Sequence, residues 1–149
     1  MMNKEFLNAK GCFSLAVIDV ASGKIIDDYQ ENNLVVTLGH TNIARLLGGD
    51  TTGKKITKLQ LGTNGTAPAL TDVAITAPFE TTITGVTYPE PNSVKFDWAL
   101  NATEGNGQTF REFGLVTDSG ALFARKTRTE IVKTDAVRLV GSWKITINS

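Results

Sequence analysis

His40 and Cys12, the single histidine and the single cysteine, are the residues best suited to nucleophilic or acid–base chemistry. A Ser-His-Asp or Cys-His arrangement would have to be built on His40, with Cys12 or a serine brought to it by the fold. No G-x-S-x-G elbow accompanies His40, which reads instead as a helix-borne side chain facing solvent or a packing partner. Cys12, beside Phe13 and Leu15 to Ile18, reads as a small buried hydrophobe. A zinc centre needs several Cys or His ligands, and the composition does not supply them. Carboxylates such as Glu80, Glu90, Asp97 and Glu104 are scattered, and the adjacent Asp27 and Asp28 would point to opposite faces of a strand, a poor geometry for paired-carboxylate hydrolysis. The expectation is no catalytic residue, no metal and no cofactor.

The glycine-containing stretches GTNGTAP and EGNG match neither the P-loop nor the dinucleotide fingerprint, and they read as turns. A basic run, Arg125, Lys126 and Arg128, continues toward Lys133 and Arg138. Lys126 and Arg128 share one face of a strand while Arg125 takes the other, so the run makes no dense patch. Strict alternation also gives Phe123 the face of Arg125, a conflict between an aromatic and a charge. Lys+Arg and Asp+Glu balance at 15 each, for a net charge of +0, so the basic excess typical of a phosphate-backbone partner is missing. No nucleic acid is expected. Arg111, Glu112, Arg125, Lys126 and Arg128 are expected to form a solvated strand face or a subunit interface, with ion pairs between copies. Tyr29, Tyr88, Trp98 and Trp143 would suit a sugar platform, but both tryptophans fall on the apolar parity of their strands and are assigned to the core.

The elements that must position these residues follow from periodicity. CFSLAVIDVASGKIIDDY is a hairpin signal about Ser22-Gly23. In NNLVVTLGHTNIARLLGGD, Val36, Gly39, Ile43 and Leu46/Leu47 recur at helical spacing, Gly48-Gly49 supplies the stop, and Asn33 or Thr37 is placed to cap the start. KKITKLQLGT, FETTITGVTY, VKFDWAL and AVRLVGSWKITIN then read as strands, with Pro89 and Pro91 closing the second of them. The stretch from Arg111 to Thr134 reads as two strands folded about Asp118-Ser119-Gly120. A chain of 149 residues suffices for one core. The expected fold is all-β, a β-sandwich or open barrel of about seven or eight mostly antiparallel strands with one short helix over an end. Residues 1–10 are expected to form an N-terminal arm and 11–149 a single domain. No stretch has the roughly 20 apolar residues of a membrane helix, no secretory signal is evident, and synthesis in a reducing cytoplasm is expected.

Four short motifs carry a resemblance: Leu61-Gly62-Thr63, Gly65-Thr66-Ala67-Pro68, Arg111-Glu112-Phe113-Gly114-Leu115 and Leu122-Phe123-Ala124-Arg125. In this order, from about Asn33 onward, the chain resembles small structural proteins of tailed bacteriophages and prophages, the tail-fibre, tail-collar and virion structural group. The resemblance implies a β-rich, non-enzymatic building block of the virion, made in the bacterial host cytoplasm. Its implied partners are other copies of itself and other virion proteins. A capsid decoration protein and a carbohydrate-binding receptor-recognition module are the alternatives.

Overall fold

The computed structural model describes residues 8–148. In chain order the elements are β1 (Asn8–Asp19), β2 (Ile25–Val35), α1 (Thr37–Leu47), β3 (Ile56–Gly62), β4 (Phe79–Thr82), β5 (Gly85–Thr87), β6 (Ser93–Leu100), β7 (Thr109–Thr117), β8 (Leu122–Val132) and β9 (Val137–Asn148). The strands form one antiparallel sheet in the order β4-β3-β7-β8-β2-β1-β9-β6-β5. The all-β expectation holds, with one short helix and an open, sandwich-like half-barrel. The expected arm, residues 1–10, lies mostly outside the described residues. Its last three, Asn8 to Lys10, already belong to β1, where they pair with Thr146 to Asn148 of β9.

Alternation dictates the strands. In β1, Phe13, Leu15 and Val17 are buried while Cys12, Ser14 and Ala16 alternate toward the outside. In β6 and β9, Phe96, Trp98, Leu100, Leu139, Trp143 and Ile145 are buried, on the parity the sequence predicts. The centre of the core is aromatic. Phe13 stacks on Trp98 at 6.2 Å between ring centroids, meets Trp143 edge-on at 5.0 Å and lies 4.8 Å from Phe113. These four rings tie the two halves of the curled sheet together, the geometry in which aromatic pairs add to simple burial.

The sheet curls because two stretches change partners, as strands do at the corners of packed sheets. Ile25 to Asn33 of β2 pair with β1, whereas only Leu34 and Val35 pair with β8. The second corner lies in FETTITGVTY, which is two strands rather than one. β4 pairs with β3 and β5 with β6. Between them the Ile83 amide donates to the Thr57 carbonyl and the Thr84 amide to that of Asp97. This split raises the count above the seven or eight strands expected. It also joins the two ends of the sheet through one short run of chain and leaves only brief free edges.

The parity conflict at Phe123 is resolved by a bulge. Leu115 pairs with Ala124 and Val116 with Leu122, so Phe123 is the extra residue. It turns inward to the main core, and the strand resumes with Arg125 on the outer face, as bulges permit. That outer face of β7 and β8 is itself buried. The loop between β3 and β4, residues 63–78, folds across it and sets Ile75 against Val36, Val116 and Leu122 in a second small cluster.

The helix start departs from expectation. Neither Asn33 nor Thr37 caps it: Val36 is the N-cap residue and makes no side-chain cap bond. The covering loop substitutes, because the Leu70 carbonyl accepts the Thr37 amide at 2.9 Å. Asn33 Oδ1 instead accepts the Trp143 indole N–H at 2.7 Å. The stop occurs at Gly48-Gly49 as expected, with Gly49 at φ 89°.

Gly114 is a point of close approach between the covering loop and the sheet: a Cβ there would sit 2.7 Å from Ile75 Cγ1 and 2.9 Å from Leu122 Cδ1. Gly114→Ala should therefore overpack this face and cost about 1–3 kcal/mol. Urea unfolding should show this as a lower midpoint with an unchanged slope.

Candidate functional site

The five charged residues expected at a subunit interface all find partners within the chain. Glu112 and Arg125 are diagonal neighbours on the outer face of β7 and β8, with Arg125 opposite Gly114, and are only 1% and 2% exposed beneath the loop of residues 63–78. Arg125 Nε donates to Glu112 Oε2 at 2.8 Å, one terminal nitrogen to Asp72 Oδ2 at 3.0 Å, and the other to the Asn64 carbonyl at 3.0 Å. Glu112 Oε1 accepts the Thr76 amide at 2.6 Å. Both ends of the loop are thus pinned to one ion pair, and a guanidinium has the planar set of donors to do this. Gly62 belongs to the same construction, since a Cβ there would collide with Glu112, Ile75 and the Thr76 carbonyl. The expectation that Glu112 and Arg125 face another subunit is corrected, because the loop buries both.

Lys126 and Arg128 close the corner at which β2 and β8 splay apart. Lys126 Nζ donates to the Asn32 carbonyl at 3.0 Å and lies 3.2 Å from Glu31. Arg128 donates to Asp27 at 2.8 Å. Between them stands Tyr29, with the Arg128 guanidinium 4.7 Å and the Lys126 ammonium 5.9 Å from its ring centroid, within cation–π range. The Tyr29 hydroxyl donates to Glu31 at 2.7 Å. Burial, reinforced by Glu31, pushes the phenol up to about 12. The same bond, with Lys126, holds the Glu31 carboxyl below its ordinary value. Arg111 pairs with Glu130 across β7 and β8 at 2.7 Å, exposed to water. The basic run is a seam within the chain, and sequence reasoning missed it because the partners stand about a hundred residues away on β2.

Lys133 is wholly buried. Its ammonium donates to Asn106 Oδ1 at 2.9 Å and to the Thr134 carbonyl at 3.0 Å, and burial pushes its pKa down against the attraction of Glu104 and Asp135. It anchors the β6–β7 loop that holds EGNG. Among the described residues no group of three His, Cys, Asp or Glu side chains is gathered for a metal. His40 is exposed on α1, and its ring makes no hydrogen bond to Cys12 or to any serine among them. Cys12 is half-buried, its sulfur accepting from Gln30 Nε2 at 3.4 Å. It sits on the outward parity of β1, correcting its assignment as a core hydrophobe. Trp98 and Trp143 are interior as expected, which leaves Tyr88, 77% exposed, as the accessible member of the sugar platform.

A concavity lies at the helix-covered end of the sheet. It is an apolar cleft of about 250 Å³, walled by Ile43 and Leu46 of α1, Val86, Tyr88, Phe96, Phe123, Ile145 and Ile147, with Lys54 and Lys55 at the rim. Barrel mouths of this kind receive apolar groups. Compared with known proteins, the chain matches no family, no curated protein and no solved structure.

Arg125→Ala would leave Glu112 charged, buried and unpaired, and is expected to cost about 3–5 kcal/mol. Hydrogen exchange of the Thr76 amide should accelerate in that variant. Arg111→Ala, which breaks the exposed pair, should cost less than about 1 kcal/mol. Depression of the Glu31 pKa makes the unfolded chain bind more protons between the depressed value and the ordinary 4.5. The stability Glu31 contributes is therefore complete above that range and is lost as pH falls through it. Comparison of urea midpoints at neutral and acid pH should show a smaller acid loss for Glu31→Gln than for the parent.

Proposed function

We propose that this protein is a non-enzymatic structural component of a bacteriophage virion, in the tail, the baseplate or at a fibre attachment point. It works by self-association and by docking to other virion proteins. One observation carries the reading. The four motifs on which the resemblance rests, separated by up to about sixty residues, meet at the Glu112–Arg125 pair and the loop it pins. Residues that meet in that way hold a covered sheet face in shape.

Surface character supports the same reading. Leu46, Leu47, Val86 and Tyr88 are exposed around the cleft, and Val20, Ile25 and Ile26 at the tip of the first hairpin. Exposed apolar groupings of this kind mark contact surfaces, and a lasting contact must bury on the order of 1,000 Å². The free sheet edges, β4 and β5, span four and three residues, so contact through faces and loops is favoured over strand addition.

Sedimentation of the purified protein should reveal a closed, symmetric oligomer, and antibody-labelled electron micrographs of the virion should place it on the tail. A protein that remains monomeric at high concentration, is absent from purified particles and turns over a substrate would overturn the proposal.

A further inference from the structure

One buried amine has a chemistry that its anchoring role leaves unused. Lys133 is 0% exposed, and its Nζ donates to Asn106 Oδ1 at 2.9 Å. A reciprocal pair of backbone bonds holds the two segments together: the Gly107 amide donates to the Lys133 carbonyl and the Lys133 amide to the Gln108 carbonyl, each at 2.9 Å. The carboxamide is oriented as well, because Asn106 Nδ2 donates to the Ala102 carbonyl at 2.9 Å. With a C=O bond of about 1.23 Å, Nζ stands no more than about 4.1 Å from Asn106 Cγ, and a shift of about 1 Å brings it to near-attack distance. Burial pushes the amine's pKa down, against the attraction of Glu104 and Asp135, and so favours the neutral form that acts as a nucleophile. Glu104, in the same loop as Asn106, is itself held in place by accepting the Asn101 amide at 3.0 Å.

We propose that Lys133 and Asn106 join in an isopeptide bond within the chain, tying the β6–β7 loop to the segment between β8 and β9. Neutral Nζ adds to Asn106 Cγ, the Nζ–Cγ bond forms, and negative charge gathers on Oδ1. As the carbonyl re-forms, the Cγ–Nδ2 bond breaks and Nδ2 leaves as ammonia, carrying the proton that Nζ loses. Glu104 relays that proton. An amine and a carboxamide thus become a secondary amide and ammonia, a balance that needs no oxidant or reductant. The competing reaction at Asn106-Gly107 is cyclisation, in which the Gly107 nitrogen attacks the same carbon and water then leaves an acid in place of the amide. Here the Gly107 N–H is engaged by the Lys133 carbonyl, which leaves Nζ the better-placed nucleophile. The bond forms once per chain and links positions 27 apart, restricting the unfolded chain as a disulfide would. It is chemistry inside one chain and stands independently of any role in a virion.

Mass spectrometry of the full chain, folded and incubated at neutral pH, tests it. The intact protein should be lighter than its sequence by one ammonia. Trypsin should no longer cleave after Lys133, and the peptides holding Asn106 and Lys133 should be recovered as one branched species. Asn106→Ala, at an exposed position, and Lys133→Arg should each restore the full sequence mass. Glu104→Gln should leave a large unlinked fraction. An unchanged mass in the folded parent overturns the proposal. So does conversion of the Asn106 amide to an acid, which marks cyclisation at Gly107 instead. A loss of ammonia that persists in Asn106→Ala overturns it by placing the reaction elsewhere, and a fully linked Glu104→Gln chain overturns the proton relay.

Discussion

The covered face of this protein depends on one buried ion pair. A nine-stranded curled sheet has an inner face that packs on itself and an outer face that would ordinarily be wet. Across β7 and β8 the outer face is dry, because Glu112 and Arg125 hold the loop of residues 63–78 over it. The desolvation cost of two buried charges is offset only when their remaining hydrogen-bonding capacity is filled. Here Asp72, the Asn64 carbonyl and the Thr76 amide fill it. The loop then supplies Ile75 to the second cluster and the Leu70 carbonyl to the helix start, so loop, sheet face and helix are fixed by a single arrangement.

The other charged residues hold a different boundary. Where β2 leaves β8 after two paired residues, backbone bonding ends and side chains take over. Lys126 and Arg128 reach from β8 to Glu31, the Asn32 carbonyl and Asp27, with the Tyr29 ring between them. The opposite corner, at Ile83 and Thr84, is held by backbone bonds, joined by the Thr84 hydroxyl donating to the Asp97 carbonyl at 3.0 Å. One corner is stitched by charge and the other by the chain's own continuity, and together they leave a half-barrel whose open end is roofed by α1.

Strands, turns and the helix stop were legible because each rests on local pattern. Period-two alternation placed Phe96, Trp98, Trp143 and Ile145 in the core, and Gly48-Gly49 ended the helix. The helix cap was not legible: Asn33 has the right chemistry for a cap, but Trp143 claims its oxygen from 110 residues away. FETTITGVTY looked like one strand because nothing in its composition marks the residue at which the hydrogen-bond partner changes. Phe123 and Arg125 conflicted in parity because a bulge adds a residue without a mark in the sequence. Cys12 was misplaced for a related reason: an apolar neighbourhood along the chain says nothing about which face of the strand a single position takes.

By itself the sequence determined most of the strands, the helix stop and the main aromatic and aliphatic members of the core, since these depend on side-chain type at fixed local spacing. It also determined that the ingredients of catalysis are sparse: one histidine, one cysteine and scattered carboxylates. Only the tertiary structure decided what the charges do. An ion pair forms between residues that the fold brings within about 3 Å, and sequence distance carries no information about that meeting. Arg125, Lys126 and Arg128, adjacent in the chain and alike in chemistry, were thereby divided between a buried anchor and a surface seam.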